Sequence, residues 1–180
     1  MIELSGILNS LRIKRCIFHS EADFQHTLAW EIHLLLPDAS IRLEFPFKIN
    51  NENKHIDIWV VNHDEILAVE LKYKTQKLST QVRNEQYELK NQRGHTNLTK
   101  YFKEDIQRLE HISTNQMKFI GYAVLLTNDS TYWNSSSRNG IDPTRLGHKY
   151  HVNWEDFSQL DSDRSYSLFR SLTIKVAHDQ

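Results

Sequence analysis

The 180-residue sequence contains a single cysteine, Cys16, which excludes an internal disulfide. A lone thiol without cross-links fits a reducing compartment, and a cytoplasmic location is expected. Proline and glycine are scarce too, at three and five residues. No Pro/Gly-rich linker, repeat or low-complexity segment divides the chain, and no Gly-rich loop of the phosphate-cradling kind is present. A serine nucleophile elbow and a Cys/His catalytic signature are likewise missing. No stretch approaches the ~18 consecutive apolar residues of a membrane span. The opening "MIELSGILNSLRIKR" is charged at both ends without a long apolar run, unlike a signal peptide. A soluble protein with no membrane partner is expected.

Nor is there an excess of one charge. The net charge is −1, which gives no global sign of a nucleic-acid partner. The distribution is uneven: Lys72 to Lys103 holds eight Lys/Arg against two Glu, and the rest of the chain holds 14 basic and 21 acidic residues. Such a run is either a solvated face or a phosphate-binding track. Ten histidines raise the question of zinc, but His148/His151 and His26/His33 lack a convincing set of further ligands. No helix-turn-helix or zinc finger is visible.

What is present reads as one domain spanning 1–180. At this length roughly 70% of the unfolded chain's surface can be buried. Ile2, Leu4, Ile7, Leu8 and Leu11 suggest a short amphipathic helix. A second begins at Ser20, a plausible N-cap with Asp23 three residues on, and stops before Pro37. "IRLEFPFKI" (41–49), "HIDIWVVN" (55–62) and "ILAVELKYK" (66–74) read as strands of an antiparallel meander. "KLSTQVRNEQYELKNQ" suggests a polar hairpin, 97–112 a helix and 118–127 a buried strand. Residues 128–147, rich in Ser, Asn and Gly, read as a long loop. "KYHVNWEDF" and "YSLFRSLTIKV" read as strand or mixed elements. The order α, β-meander, α, β indicates an α/β sandwich with a mixed sheet.

The meander carries charges where apolar residues are the rule. Alternation puts Ala68, Glu70, Lys72 and Lys74 on one face of their strand. On the preceding strand Asp57 shares a face with His55 and Trp59, opposite Ile56, Ile58 and Val60. Pairing through the short "HDE" turn brings Asp57 beside Glu70. Two partly buried carboxylates repel when both are ionised, and a divalent cation relieves that repulsion. Mg²⁺ takes one or two carboxylates, waters and substrate phosphate. Lys72 would lean over the same place, able to hold an attacking water, stabilise phosphate charge or assist proton transfer. On the second helix Glu21 and Gln25 fall on the stripe of Leu28 and Ile32, within about 60° at 100° per residue. They need partners, which a metal site or water network would supply. The plainer readings are a surface ion pair between Glu70 and Lys72, and a capping Glu21 beside a half-exposed Gln25.

The order helix with Glu21/Gln25, strand, strand with Asp57, strand with Glu70-Leu71-Lys72, then helix resembles the PD-(D/E)xK nuclease superfamily. The resemblance covers about 18–127, with 128–180 completing the domain. Ile56 stands where the motif's name has proline. The resemblance implies a restriction-endonuclease-like three-layer α/β/α core with a mixed central sheet flanked by helices. It also implies a Mg²⁺-dependent nuclease, with Mn²⁺ as a substitute, hydrolysing phosphodiester bonds, DNA favoured over RNA. Asp57 and Glu70 would be metal ligands, Lys72 the catalytic lysine and Glu21 an auxiliary acidic residue. Gln25 and Arg108 are supporting candidates, Arg108 also being suited to an i,i+3 ion pair with Asp105. Glu44 and His55 lie near in the strand pattern without an assignable role, and Trp133 could stack on a base or pack in its loop. Specificity would come from loops, from homodimerisation or from a partner subunit. The rival reading is a nuclease-like fold retained for nucleic-acid binding or regulation without catalysis. A third is a structural protein whose charges are surface pairs.

Overall fold

The structure, a computed structural model, describes residues 3–49, 51–92, 95–112, 117–134, 136–158 and 169–177, with the backbone alone at 95–97. The first helix, α1 (Leu4–Lys14), buries Leu4, Ile7, Leu8 and Leu11, three and four residues apart along its inner face. Ile2, expected on the same face, lies outside the described residues. In α2 (Glu21–Leu35), the Ser20 hydroxyl accepts the Asp23 N–H at 3.1 Å, satisfying one of the helix's orphan donors. The helix ends two residues before Pro37, whose ring disfavours helical geometry in the residue before it.

Three antiparallel strands follow: β1 (Ser40–Ile49), β2 (Glu52–Asn62) and β3 (Glu65–Lys74). The β2–β3 connection is the two-residue turn His63-Asp64, with His63 at φ +53°. The polar hairpin is β4 (Leu78–Val82) and β5 (Glu85–Leu89), joined by Arg83 and Asn84. Both have positive φ, +50° and +66°, the geometry that matches the twist of a two-residue hairpin. The helix α3 (His95–Glu110) then crosses over to β6 (Lys118–Thr127), which pairs parallel to β3. The expected long loop after β6 contains a one-turn helix, α4 (Pro143–Leu146), capped by Asp142. The C-terminal strands are β7 (Trp154–Asp156) and β8 (Arg170–Ala177), antiparallel to each other, with β8 also antiparallel to β6.

The result is an α/β protein with a six-stranded mixed sheet in the order β1-β2-β3-β6-β8-β7. On one face α1 and α2 pack over Ile58, Val60, Leu67, Val69, Leu71 and Tyr73. On the other, Leu98, Phe102, Ile106 and Leu109 of α3 pack over Ala68, Ala123, Leu125 and Leu172. Burying each such Leu or Phe contributes roughly 1.5–3 kcal/mol, so α3 is held firmly over β3 and β6. Gly121 permits its close approach: a Cβ there would lie 3.1 Å from the Cβ of Leu109. Among the described residues no helix is long and apolar enough to cross a membrane.

Strict alternation fails at one point in β2. Ile58 and Val60 join the core under α1 and α2, whereas Ile56 joins the core under α3. The expected common face of Ile56, Ile58 and Val60 is therefore broken at Asp57, and the break has a backbone cause.

Candidate active site

The β2–β3 ladder runs from Asn62↔Glu65 to Ile58↔Val69 and ends there. One more step in the same register would set Asp57 opposite Glu70. Instead β2 leaves β3 and continues with β1 alone, from Phe45↔Ile56 to Ile49↔Glu52. The β1 side is irregular at the same level. Glu44, between the pairs Leu43↔Ile58 and Phe45↔Ile56, has φ +50°. A glutamate in the left-handed region costs on the order of 1–3 kcal/mol, and such local irregularities recur next to functional sites.

Backbone groups abandoned by the splitting strands must find other partners, and side chains supply them. The Leu71 N–H donates to Asp57 Oδ2 at 2.5 Å, and the Tyr73 N–H to Glu21 Oε2 at 2.7 Å. Gln25 Nε2 donates to the Asp57 carbonyl at 2.7 Å and to Glu44 Oε1 at 2.8 Å. Glu21 and Gln25 thus point from the start of α2 at the split. Gln25 is buried, and its partners are protein groups rather than the half-exposed position or water network considered from sequence.

From the opposite face α3 closes the site. Glu70 is only 2% exposed, and Arg108 Nε donates to its Oε1 at 2.9 Å. The Nη2 of Arg108 reaches Asp105 Oδ1, and the other Asp105 oxygen pairs with Lys72 Nζ at 2.8 Å. Lys72 also donates to the Leu71 carbonyl at 3.2 Å. The Asp105–Arg108 pair is therefore present, but it links α3 to both charged residues of β3 rather than standing alone on the helix. A groove of about 280 Å³ opens beside Arg108, walled by Ile49 and Lys54 of the splayed β1–β2 end and by Glu104, Gln107 and His111.

The charges are out of balance. Burial pushes Glu70 up to about 8; the Arg108 hydrogen bond draws it down, and the Asp57 charge adds to the rise. Burial also pushes Asp57 up to about 6, against the Leu71 N–H and the Lys72 ammonium, with Glu21 and Glu44 adding repulsion. Burial opposes the Lys72 ammonium, but Asp105, then Asp57 and Glu21, more than offset it and hold its pKa above the ordinary lysine value. Five carboxylates (Glu21, Glu44, Asp57, Glu70, Asp105) thus surround two cations, Lys72 and Arg108.

That imbalance, in an all-oxygen donor set, fits a hard divalent cation. One oxygen of Asp57 and one of Glu70 is held by the protein. The other oxygen of each has no hydrogen-bond partner among the described residues. No three His, Cys, Asp or Glu side chains converge into a complete cage among the described residues. A Mg²⁺ ion that keeps several of its waters does not need one.

Two participants had no role in the site from sequence. Asp105 was expected only as the ion-pair partner of Arg108, although it lies beside the apolar Phe102/Ile106/Leu109 face of α3. Glu44 lay near in the strand pattern, but its left-handed backbone has no residue-type signature. Of the remaining candidates, His55 is exposed. Trp133 packs against the C-terminal strands, 5.9 Å between ring centres from Trp154 of β7 and with the Arg170 guanidinium of β8 5.3 Å above it. Comparison of the chain with protein-family models, with curated proteins and with solved structures finds no match.

Proposed function

We propose that this chain is a metal-dependent nuclease of the PD-(D/E)xK kind, built on a restriction-endonuclease-like three-layer α/β/α core and hydrolysing phosphodiester bonds of DNA. One observation carries the reading. Where β2 parts from β3, Glu21, Asp57, Glu70 and Lys72 from three separate elements gather at one level of the sheet with a surplus of carboxylates. Surface ion pairing does not account for a Glu70 that is 2% exposed and still repelled by Asp57.

Asp57 and Glu70 are the residues that would hold Mg²⁺ or Mn²⁺, each through the oxygen left over from its protein contact. When bound, such an ion supplies charge stabilisation to the phosphate and a more acidic water. Lys72 keeps its ammonium at the same level, where it can bind a phosphate oxygen and stabilise the charge that develops there. Glu21, anchored on the Tyr73 N–H through Oε2, has a second oxygen that could orient a water. The basic run from Lys72 to Lys103 maps to the end of β3, the β4–β5 hairpin and the first half of α3. A polyanionic backbone suits that distribution.

The test is incubation with linear, circular and single-stranded DNA and with RNA, each with Mg²⁺ or Mn²⁺, beside a Lys72→Ala control. Cleavage by wild type is expected to exceed that by Lys72→Ala at least ~100-fold, the scale of losing an electrostatic contributor. Equal cleavage by the two proteins would reject the mechanism. Tight binding with no cleavage by either would favour the non-catalytic reading.

A further inference from the structure

We propose that Asp105 is a positioning residue of this site, fixing Lys72 directly and Glu70 through Arg108. The inference rests on the nuclease reading and extends it to a residue on α3. The geometry is a continuous chain of contacts, Glu70–Arg108–Asp105–Lys72. Each Asp105 oxygen serves one cation: Oδ2 pairs with Lys72 Nζ at 2.8 Å and Oδ1 with Arg108 Nη2. Arg108 then spends its remaining edge on Glu70, with Nε to Oε1 at 2.9 Å.

Burial makes this arrangement more than a helix-surface pair. The Asp105 side chain is 3% exposed, that of Glu70 1%, and those of Lys72 and Arg108 21% and 24%. The carboxylates are locked inside, and the cations sit at the rim between them and solvent. Without Asp105, Lys72 would be a long flexible stem on a strand whose neighbour has departed. The other carboxylates that act on its ammonium are Asp57 and Glu21, on the side of the proposed metal. An ammonium collapsed onto those groups would occupy the space that the cation and phosphate need. Asp105 instead draws it toward α3 and leaves Asp57 accessible. The guanidinium, planar and able to bond along two edges, carries the same constraint to Glu70. Asp105 can do this because α3 is itself anchored by Phe102, Ile106 and Leu109 on either side of it in sequence. Supporting groups that hold first-contact residues in this way commonly matter ~10–100-fold when removed.

The experiment is a cycle of Asp105→Asn, Asp105→Glu, Lys72→Met and the two combinations, measuring steady-state DNA cleavage at saturating Mn²⁺ and the melting shift caused by Mn²⁺. Asp105→Glu is included because emptying a place between two cations can unfold the chain, whereas an added methylene keeps the charge. Asp105→Asn should lower kcat ~10–100-fold with little change in KM. Asp105→Glu should lose less. In the Lys72→Met background each should cost much less, because only the Arg108–Glu70 branch is left to lose. The Mn²⁺ melting shift should survive in both, since Asp57 and Glu70 are untouched. A folded Asp105 variant with wild-type kcat overturns the proposal, as does an equal loss in the Lys72→Met background or a vanished Mn²⁺ shift. If Lys72→Met itself cleaves as fast as wild type, or wild type cleaves nothing, the nuclease reading falls and this role with it. If Lys72→Met is impaired and the Asp105 variants are not, only the positioning role falls.

Discussion

The Asp57 carboxylate occupies the hydrogen-bonding place on β3 that the backbone of β2 vacates, its Oδ2 accepting the Leu71 N–H at 2.5 Å. One side chain thereby repairs a broken ladder with one oxygen and leaves the other without a hydrogen-bond partner among the described residues. The repair and the proposed metal contact can be separated by substitution.

Asp57→Asn keeps an acceptor for the Leu71 N–H, and Asp57→Ala does not. The alanine variant should lose roughly 1–3 kcal/mol of stability, the cost of an unsatisfied buried donor, and the asparagine variant much less. Both should lose the stabilisation by Mn²⁺, which in wild type should reach roughly 2.7 kcal/mol at a hundred times Kd. Thermal melting of the three proteins with and without Mn²⁺ checks this, and an undiminished shift in Asp57→Asn would remove Asp57 from the ligand set.

The acidity of the site makes a second prediction. Both carboxyls hold protons more tightly in the folded protein than their ordinary values of 3.8 and 4.5 allow, up to about 6 for Asp57 and about 8 for Glu70. Wherever the folded state binds more protons, stability falls as pH rises. The metal-free protein should therefore be more stable near pH 5 than near pH 8, losing the Asp57 share first and the Glu70 share last. Metal binding requires the ionised forms and should strengthen across the same interval. Glu70→Gln should flatten the upper part of the metal-free melting profile. A wild-type profile already flat over this range contradicts the assignment.

Glu21 offers a similar separation. Its Oε2 accepts the Tyr73 N–H at 2.7 Å, a contact that Glu21→Gln can reproduce through its amide oxygen. Glu21→Gln should melt close to wild type while cleaving DNA at least ~10-fold more slowly, because the water-orienting charge is gone. Full activity in a folded Glu21→Gln variant would reduce Glu21 to a backbone cap.

Lys72→Arg retains positive charge but should restore little of the activity lost in Lys72→Ala. A planar guanidinium cannot fill the place of a compact ammonium between Asp105 and the Leu71 carbonyl. Nucleic-acid binding should change far less than cleavage in both variants, since phosphate affinity is spread over many basic contacts. Filter binding beside cleavage rates distinguishes the two effects.

Much of this architecture is legible in the sequence, for reasons that differ by element. The apolar alternation of 66–74 and the short His63-Asp64 turn determine the β2–β3 register, and so bring Asp57 and Glu70 to the same level. Ser20, Asp23 and Pro37 mark the ends of α2 through capping and ring sterics. Period alone could not show that the ladder stops one step short of Asp57, nor that Glu44 on β1 takes a left-handed backbone at the same level. Nor could spacing on α3 distinguish an Asp105–Arg108 pair facing solvent from one facing β3. That distinction is made by which stripe the packing of Phe102 and Leu109 turns inward. The insertion of β6 between β3 and β8 is a long-range pairing with no local signal.

The side-chain repair of β3 also gives the protein a built-in spectroscopic reporter. The Leu71 and Tyr73 amides are bonded to carboxylates of the site, at 2.5 and 2.7 Å, rather than to a neighbouring strand's carbonyls. Their proton chemical shifts and hydrogen-exchange rates should therefore follow the ligation of Asp57 and Glu21. Titrated with a diamagnetic ion such as Mg²⁺, these two amides should move more than those of Leu67 and Val69, which lie where β3 still has β2 beside it. Occupancy could then be read at the backbone, in the absence of any nucleic acid.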